Sequence, residues 1–336
     1  MILMQHTTSA DHRIARNQEI QKADRRKGKR PTILLSPGAL NLPKSHLGGE
    51  YWRALKKGME SYDLLKAKGH DVRILGPSCE RRGIVCVSPW FMFTTDLEHR
   101  RPGSTLSLDI DSNGVSHFAI MWPRDMFQVY GDLVFAQLGS EVEARKILSA
   151  LGFPPSVVIE TSTLGEGGLV ARSGKTLILS EAVHRRGIRK GEIRSLEHRR
   201  YHIHFLPASR EDFSTGMERR KDPVDHIDTE FGLVFSKGGN ALACVNPDYY
   251  KQFRRPIDQL IKKIDASLHI APEGESTMAV NFISLPNGKV IIASDCDSTQ
   301  SFLERGLGKE NVTVLPIDPE IYLKGGGLRC MSNVIE

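Results

Sequence analysis

The sequence predicts an α/β chain of about five βαβ-type modules, each of roughly fifty residues, closed radially instead of laid out as an open sheet. Three observations predict it. An apolar run, a glycine-containing turn and a second apolar run recur at Gly168–Ser180, Gly232–Cys244 and Asn281–Ala293. Each of these hairpin signatures is followed by a helical stretch and one more short strand. The length of 336 residues lies beyond the size at which one ordinary core stops growing, and a closed ring of sheets is one way to remain a single unit at that size.

In chain order, residues 1–30 are polar, charged and weakly periodic, and read as an N-terminal arm ahead of one catalytic domain over 31–336. A strand over Thr32–Leu35, a helix over Tyr51–Lys68 and a strand over Asp71–Leu75 form the first module. A similar unit runs from His117 through Met126, its apolar run His117–Met121 ending at Trp122-Pro123-Arg124-Asp125, with a helix-like stretch over Ser140–Leu151 beyond it. The hairpin Gly168–Ser180 turns at Gly174; the hairpin Gly232–Cys244 leads to a helix over Tyr249–Ile264 and a strand over Ala266–Ala271. The hairpin Asn281–Ala293 turns at Asn287-Gly288 and leads to a helix over Thr299–Leu307 and a strand over Val312–Ile317. The last segment, Gly325–Ile335, is expected to pair with the first module and close the ring.

The net charge is +6, and two basic runs carry part of it: Arg25–Arg30 and His184–Arg200. No aromatic residues interleave the first run, and no nucleic-acid-binding module surrounds either, so both read as solvated surface and nucleic acid is not an expected partner. A positive field also suits a substrate that bears a carboxylate. No apolar run approaches the roughly 20 residues that span a bilayer, so no membrane partner is expected. The opening Met1–His6 is too short for a secretion signal, which predicts a cytoplasmic protein. The five cysteines (Cys79, Cys86, Cys244, Cys296 and Cys330) then read as free thiols. A homo-oligomer is compatible with this composition.

Several motifs fail on spacing. Gly174-Lys175-Thr176 imitates a phosphate-binding loop, but the position that must hold its first glycine is Leu169. No glycine-rich dinucleotide fingerprint follows a strand. His202 and His204 share one face of a strand, yet no further ligands sit nearby in sequence, so neither metal nor cofactor is predicted.

Four segments place polar chemistry inside apolar surroundings: Trp122-Pro123-Arg124-Asp125, Glu166-Gly167-Gly168, His226-Ile227-Asp228 and Gly325-Gly326-Gly327-Leu328-Arg329-Cys330. Taken singly, each has a plainer role. Cys330 reads as a small buried thiol, Asp125 as a helix cap, Glu166 as a turn residue and His226 as a satisfied core histidine. Read as part of a strand, His226 and Asp228 point the same way. Their joint occurrence on separate modules is what argues for a shared site.

The four motifs, in this order, resemble the guanidino-group-modifying superfamily of arginine deiminases, agmatine deiminases, dimethylarginine hydrolases and amidinotransferases. The resemblance covers roughly residues 30–336. It implies a pentein fold, a five-module ββαβ-type α/β-propeller with pseudo-fivefold symmetry, and an enzyme acting on a small guanidino compound. It also implies roles that the side-chain chemistry allows. Cys330 would be the nucleophile on the guanidinium carbon, with Arg329 beside it to favour the thiolate. His226 would act as acid and then base, and Glu166 would orient it. Asp125 and Asp228 would clamp the guanidinium nitrogens. Arg124 flanks Asp125 and is carried over with it. Arg172 and Arg185, with Arg186, are candidates for holding a substrate carboxylate. In many relatives the Glu-Gly-Gly run continues with Asp or Asn; here it continues with Leu169, which removes one polar contact.

The expected reaction is hydrolysis of a C–N bond with a ureido product. Transfer of the amidino group to an amine uses the same residues. A third reading, a non-catalytic propeller that binds RNA or a ribosomal surface, draws on the basic runs alone.

Overall fold

A computed structural model describes residues 31–35, 60–76, 84–86, 108–110, 116–118, 123–153, 155, 157–208, 226–273, 275, 279–316, 327–330 and 332–335. The predicted arm over 1–30, Trp122, and Gly325 and Gly326 lie outside these residues. The described chain is a mixed α/β structure of five small sheets and one short hairpin.

The first sheet holds β1 (Thr32–Leu35), β2 (Asp71–Gly76) and β3 (Ile84–Cys86), all parallel, with a helical stretch over 60–67 between β1 and β2. The short hairpin is β4 (Leu108–Ile110) with β5 (Ser116–Phe118). The next four sheets repeat one pattern: an inner strand antiparallel to a middle strand, and the middle strand parallel to an outer one. The four are β6 (Phe127–Tyr130), β7 (Leu133–Gln137) and β8 (Val157–Thr161); β9 (Val170–Ser173), β10 (Thr176–Ser180) and β11 (His202–Leu206); β12 (Phe231–Phe235), β13 (Ala241–Val245) and β14 (Ala266–Ile270); and β15 (Ile283–Ser284), β16 (Val290–Ala293) and β17 (Val312–Leu315). Finally β18 (Ser332–Ile335) pairs antiparallel with β1. The two ends of the described chain therefore share a sheet, as the closing segment predicted.

A parallel neighbour needs a crossover, and in these four sheets each is helical. The helices are Glu141–Ala150, the pair Ala182–Arg185 and Lys190–His198, Pro247–Ile264, and Asp297–Leu307. The third crossover shows how sequence sets its limits. Asn246 accepts from the backbone N–H groups of Asp248 (3.0 Å) and Tyr249 (3.4 Å) at its start, and Pro247 occupies a position whose N–H is not needed. Asp265 ends it in the left-handed region, at φ 54°. Tyr249, Ile257, Leu260 and Ile264 form its buried side and pack on the wholly buried strands β12 and β13.

Neighbouring sheets meet through their inner strands. Asn333 on β18 donates to the Phe127 carbonyl on β6 (2.7 Å). Arg172 on β9 donates to the Val129 carbonyl on β6 (2.5 Å). The Phe235 N–H on β12 donates to the Ser173 hydroxyl on β9 (3.1 Å). Gly232 on β12 lies so close to the Val280 carbonyl and the Phe282 ring, just ahead of β15, that a Cβ would sit 2.6 and 2.5 Å from them. The Arg329 N–H, just ahead of β18, donates to the Asn281 carbonyl (3.2 Å).

Three expectations need correction. The unit read over His117–Met126 is not the module: Ser116–Phe118 belongs to the short hairpin and Pro123–Met126 is a helical turn. The module's hairpin is β6–β7, turned at Gly131 with φ +71°. The basic run His184–Arg200, expected as solvated surface, is also part of the framework. It supplies the helical crossover between β10 and β11, with Val183 and Leu196 buried and its basic side chains largely outward. His226-Ile227-Asp228 is not strand; it is the start of a 3-10 turn over Ile227–Thr229.

Candidate active site

The first cluster forms around Glu166. This residue ends the loop after β8, and a 3-10 turn over Gly167–Leu169 carries the chain from it into β9. Its Oε1 lies 2.7 Å from His226 Nε2. Its Oε2 accepts from Arg186, by a short ion pair, and from Gln137 Nε2 at 3.2 Å. Burial opposes the charge on Glu166. The hydrogen bond from His226 and the charges of His226 and Arg186 outweigh that effect and hold the carboxyl below its usual range. Gly168 makes the packing possible, because a Cβ there would lie 2.5 Å from the Cγ and Nδ1 of the His226 ring.

The second cluster forms around Asp228, two residues beyond His226. Asp228 is wholly buried. Its Oδ2 lies 3.3 Å from Arg124 Nε and accepts from the Cys330 thiol at 3.8 Å. Its Oδ1 has no hydrogen-bond partner among the described residues. Cys330 closes the turn that begins at Gly327 and leads into β18. Asn281 Nδ2 donates to its sulfur at 3.4 Å and to the Asp228 carbonyl at 3.0 Å, while Asn281 Oδ1 accepts from the Arg329 N–H at 2.9 Å. Gly327 lets Asn281 approach, since a Cβ there would lie 2.6 Å from Asn281 Oδ1. The turn His226-Ile227-Asp228 is the link between the clusters: one end holds Glu166, the other faces the thiol.

Below these groups lie buried arginines. Arg124 donates through Nε to the Gly167 carbonyl (3.1 Å) and through Nη2 to the Val170 carbonyl (2.5 Å). Arg329 donates to the same Val170 carbonyl at 3.3 Å. Burial and the nearby Arg124 push the Arg329 guanidinium down to about 9, partly offset by Asp228, so it stays charged at neutral pH.

The remaining sequence candidates fall out as follows. The Arg172 side chain is spent on structure: it reaches the Val129 carbonyl, the Gly174 carbonyl (3.3 Å) and the rings of Tyr130 and Tyr201 at 5.3 and 5.5 Å. Arg185 is exposed at the end of its helix; its neighbour Arg186 is the one that meets Glu166. Asp125 lies in the Pro123–Met126 turn, and its side chain is outside the described residues. Leu169, in the position that many relatives fill with a polar residue, is fully buried in the core with Tyr130, Leu133 and Leu164.

Sequence reasoning missed Asn281 and Gln137, and it read Arg186 as a candidate for a substrate carboxylate instead of a partner of Glu166. Asn281 had a readable signal: it opens the third hairpin at the position where Gly168 opens the first. Gln137 had none, and nothing local tied Arg186 to Glu166, because only the tertiary fold brings the end of β7 and the end of a helix to that carboxylate. Among the described residues, no group of three His, Cys, Asp or Glu is arranged to hold a metal ion, and no helix is long and apolar enough to cross a membrane.

No family model matches the sequence, and no curated protein matches it. Solved structures do. An amidinotransferase from Microseira wollei in saxitoxin biosynthesis matches with TM-score 0.56 at 15% identity, over 91% of this chain and 94% of its own. A dimethylarginine dimethylaminohydrolase, as an adduct with S-methyl-L-thiocitrulline, matches with TM-score 0.53 at 19% identity, over 90% of this chain and 99% of its own. An agmatine deiminase from C. jejuni matches with TM-score 0.50 at 15% identity, over 91% and 93%. Across nine-tenths of its length the chain therefore has a mixed α/β fold similar to that of these guanidino-modifying enzymes.

Proposed function

We propose that this chain is a hydrolase that cleaves a C–N bond of a small guanidino compound through a covalent intermediate on Cys330. The observation that carries the reading is Asp228. A fully buried carboxylate within reach of a thiol, its Oδ2 held by Arg124 and its Oδ1 unpartnered among the described residues, is costly unless further N–H donors complete it. A planar guanidinium supplies N–H donors in the right geometry.

In this reading the Cys330 thiolate adds to the guanidinium carbon, and the carbon becomes tetrahedral. His226 delivers a proton to the departing nitrogen, the C–N bond breaks, and an S-linked amidinium remains. Water then loses a proton to His226 as it adds to the same carbon. Collapse breaks the C–S bond, frees the thiolate and leaves a ureido product. Glu166, ionised and hydrogen-bonded to Nε2, keeps the proton on that nitrogen, so proton exchange with substrate runs through Nδ1. Asn281 orients the sulfur, and Arg124 holds Asp228 in place.

Transfer to an amine remains the second reading, favoured by the amidinotransferase among the similar structures. We also infer that the five sheets close about one axis as a pseudo-fivefold propeller, supported by the contacts between successive inner strands. A single catalytic domain over 31–336 and a cytoplasmic setting, where Cys244, Cys296 and Cys330 stay reduced, complete the proposal.

The test incubates the protein with arginine, agmatine and dimethylarginine, with and without acceptor amines. Ureido product without acceptor, lost in Cys330→Ser, is expected. Turnover only with acceptor shifts the reading to transfer. No turnover in either condition, with chloroacetamidine failing to alkylate Cys330, removes it, and tight RNA or ribosome binding by such a protein would favour the non-catalytic alternative.

A further inference from the structure

We propose that Arg186 is a positioning residue of this site: it engages one oxygen of Glu166, so that the carboxylate meets His226 with its other oxygen and with part of its charge already offset. The inference rests on the reading of Glu166 and His226 as the proton-transfer pair, and deepens it.

Glu166 is shared between partners from three elements. His226, on the turn before β12, holds Oε1 at 2.7 Å. Gln137, wholly buried at the end of β7, donates to Oε2 at 3.2 Å. Arg186 forms its ion pair with the same Oε2. The backbone fixes where Arg186 stands. It caps the helix Ala182–Arg185, with its N–H returning to the Ala182 carbonyl (3.0 Å). Gly187 follows in the left-handed region at φ +78°, and the N–H groups of Gly187 and Ile188 return to the His184 and Val183 carbonyls at 3.2 and 2.9 Å. That pair of bonds is the helix stop that a glycine in this position permits. The Arg186 carbonyl accepts from Ser162 Oγ (3.2 Å), on the loop that ends in Glu166. The side chain thus leaves a fixed point beside the loop whose carboxylate it meets.

Charge decides the consequence. A carboxylate beside an imidazole favours the protonated ring. An arginine on the other oxygen weakens that pull and repels the imidazolium as well. Glu166 stays ionised between them, because the charges of His226 and Arg186 outweigh its burial. Solvent screens the effect in part, since the Arg186 side chain is 29% exposed against 9% for Glu166. The other charged and titratable groups of the site lie at the far end of the His226 turn. They are Asp228 on the turn itself, Arg124 paired with it from the Pro123–Met126 turn, and Cys330 ahead of β18. Among the described residues, Arg186 is the cation at the Glu166 end.

The test follows the His226 ring by NMR across pH in histidine-labelled, substrate-free protein, its resonance assigned by loss in His226→Asn. In Arg186→Gln, which keeps an N–H donor but not the charge, the midpoint of the ring titration should move up by about one pH unit. Arg186→Lys should reverse most of that shift. Where a guanidino compound is turned over, the alkaline limb of kcat/KM should move the same way, because His226 first delivers a proton. KM for arginine and for agmatine should then change alike. An unmoved midpoint in a folded Arg186→Gln overturns the inference. So does a KM rise confined to arginine and dimethylarginine, which would make Arg186 a contact to the substrate carboxylate. If Arg186→Gln does not fold, Arg186→Met carries the same expectation; if neither folds, Arg186 is a framework residue and the inference falls. The NMR readout needs no turnover. A shifted midpoint in a protein that turns over no guanidino compound would remove the guanidino reading and leave the Arg186 assignment standing.

Discussion

Gly168→Ala isolates the orientation of His226 from the stability of the fold. The added methyl would sit 2.5 Å from the Cγ and Nδ1 of the imidazole. The ring has to retreat by about 1 Å to reach ordinary contact distance. His226 is held to Glu166 by one 2.7 Å bond, and a retreat of that size takes the pair past hydrogen-bonding range. The backbone at Gly168 is not left-handed, so alanine itself adds no strain there. Misplacing a proton-transfer group by about 1 Å lowers turnover on the order of 10²-fold. The assay is ureido-product formation from whichever guanidino compound is turned over, with Tm measured in parallel. Gly167→Ala is the control. Its methyl meets the Arg124 carbonyl at 2.6 Å as well as the Arg124 side chain, and backbone cannot step aside, so its loss should appear in Tm. A full rate in Gly168→Ala, or a Tm loss equal to that of Gly167→Ala, would refute the assigned role of the Gly168 contact.

Further outcomes are expected. Asp228→Asn removes the carboxylate that pairs with buried Arg124; breaking such a pair costs roughly 3–5 kcal/mol, so Tm falls and guanidino binding is lost together, and retained affinity by calorimetry would contradict the clamp. Cys330→Ser should abolish product by at least about a thousandfold with Tm nearly unchanged, since the two side chains are similar in size; residual turnover within tenfold of wild type would exclude the nucleophile. His70 gives a pH signature. Burial and the charge of Lys289 lower its imidazole to about 4, against 6.5 for the free group. The unfolded chain therefore binds the extra proton first as pH falls, and stability drops as pH falls from 6.5 toward 4, by about 2 kcal/mol down to about pH 5. His70→Gln, which can keep a contact with the Thr313 hydroxyl, should flatten that slope in denaturant titrations; an unchanged slope would assign it elsewhere.

Local chemistry determined much of this protein from its sequence. Hairpins at Gly174 and Asn287-Gly288, the helices after β13 and β16, and the closing strand Ser332–Ile335 were legible because turn residues and apolar periodicity act over a few neighbours. Glu166, His226, Asp228 and Cys330 stood out because polar residues in apolar surroundings are rare. The first hairpin of the repeated set, β6–β7, was not legible. Both its strands are buried throughout, and apart from Gln128 and Gln137 they are apolar, so no alternation marked their limits, and the polar residues of Trp-Pro-Arg-Asp drew attention upstream. Only the tertiary structure decided that Arg186, and not Arg185, reaches Glu166, that Arg172 is spent on backbone carbonyls and aromatic rings, and that Asn281 touches the thiol. These outcomes depend on distances between residues far apart in the chain. No local rule encodes them, because a side chain's partner is set by how separate sheets pack.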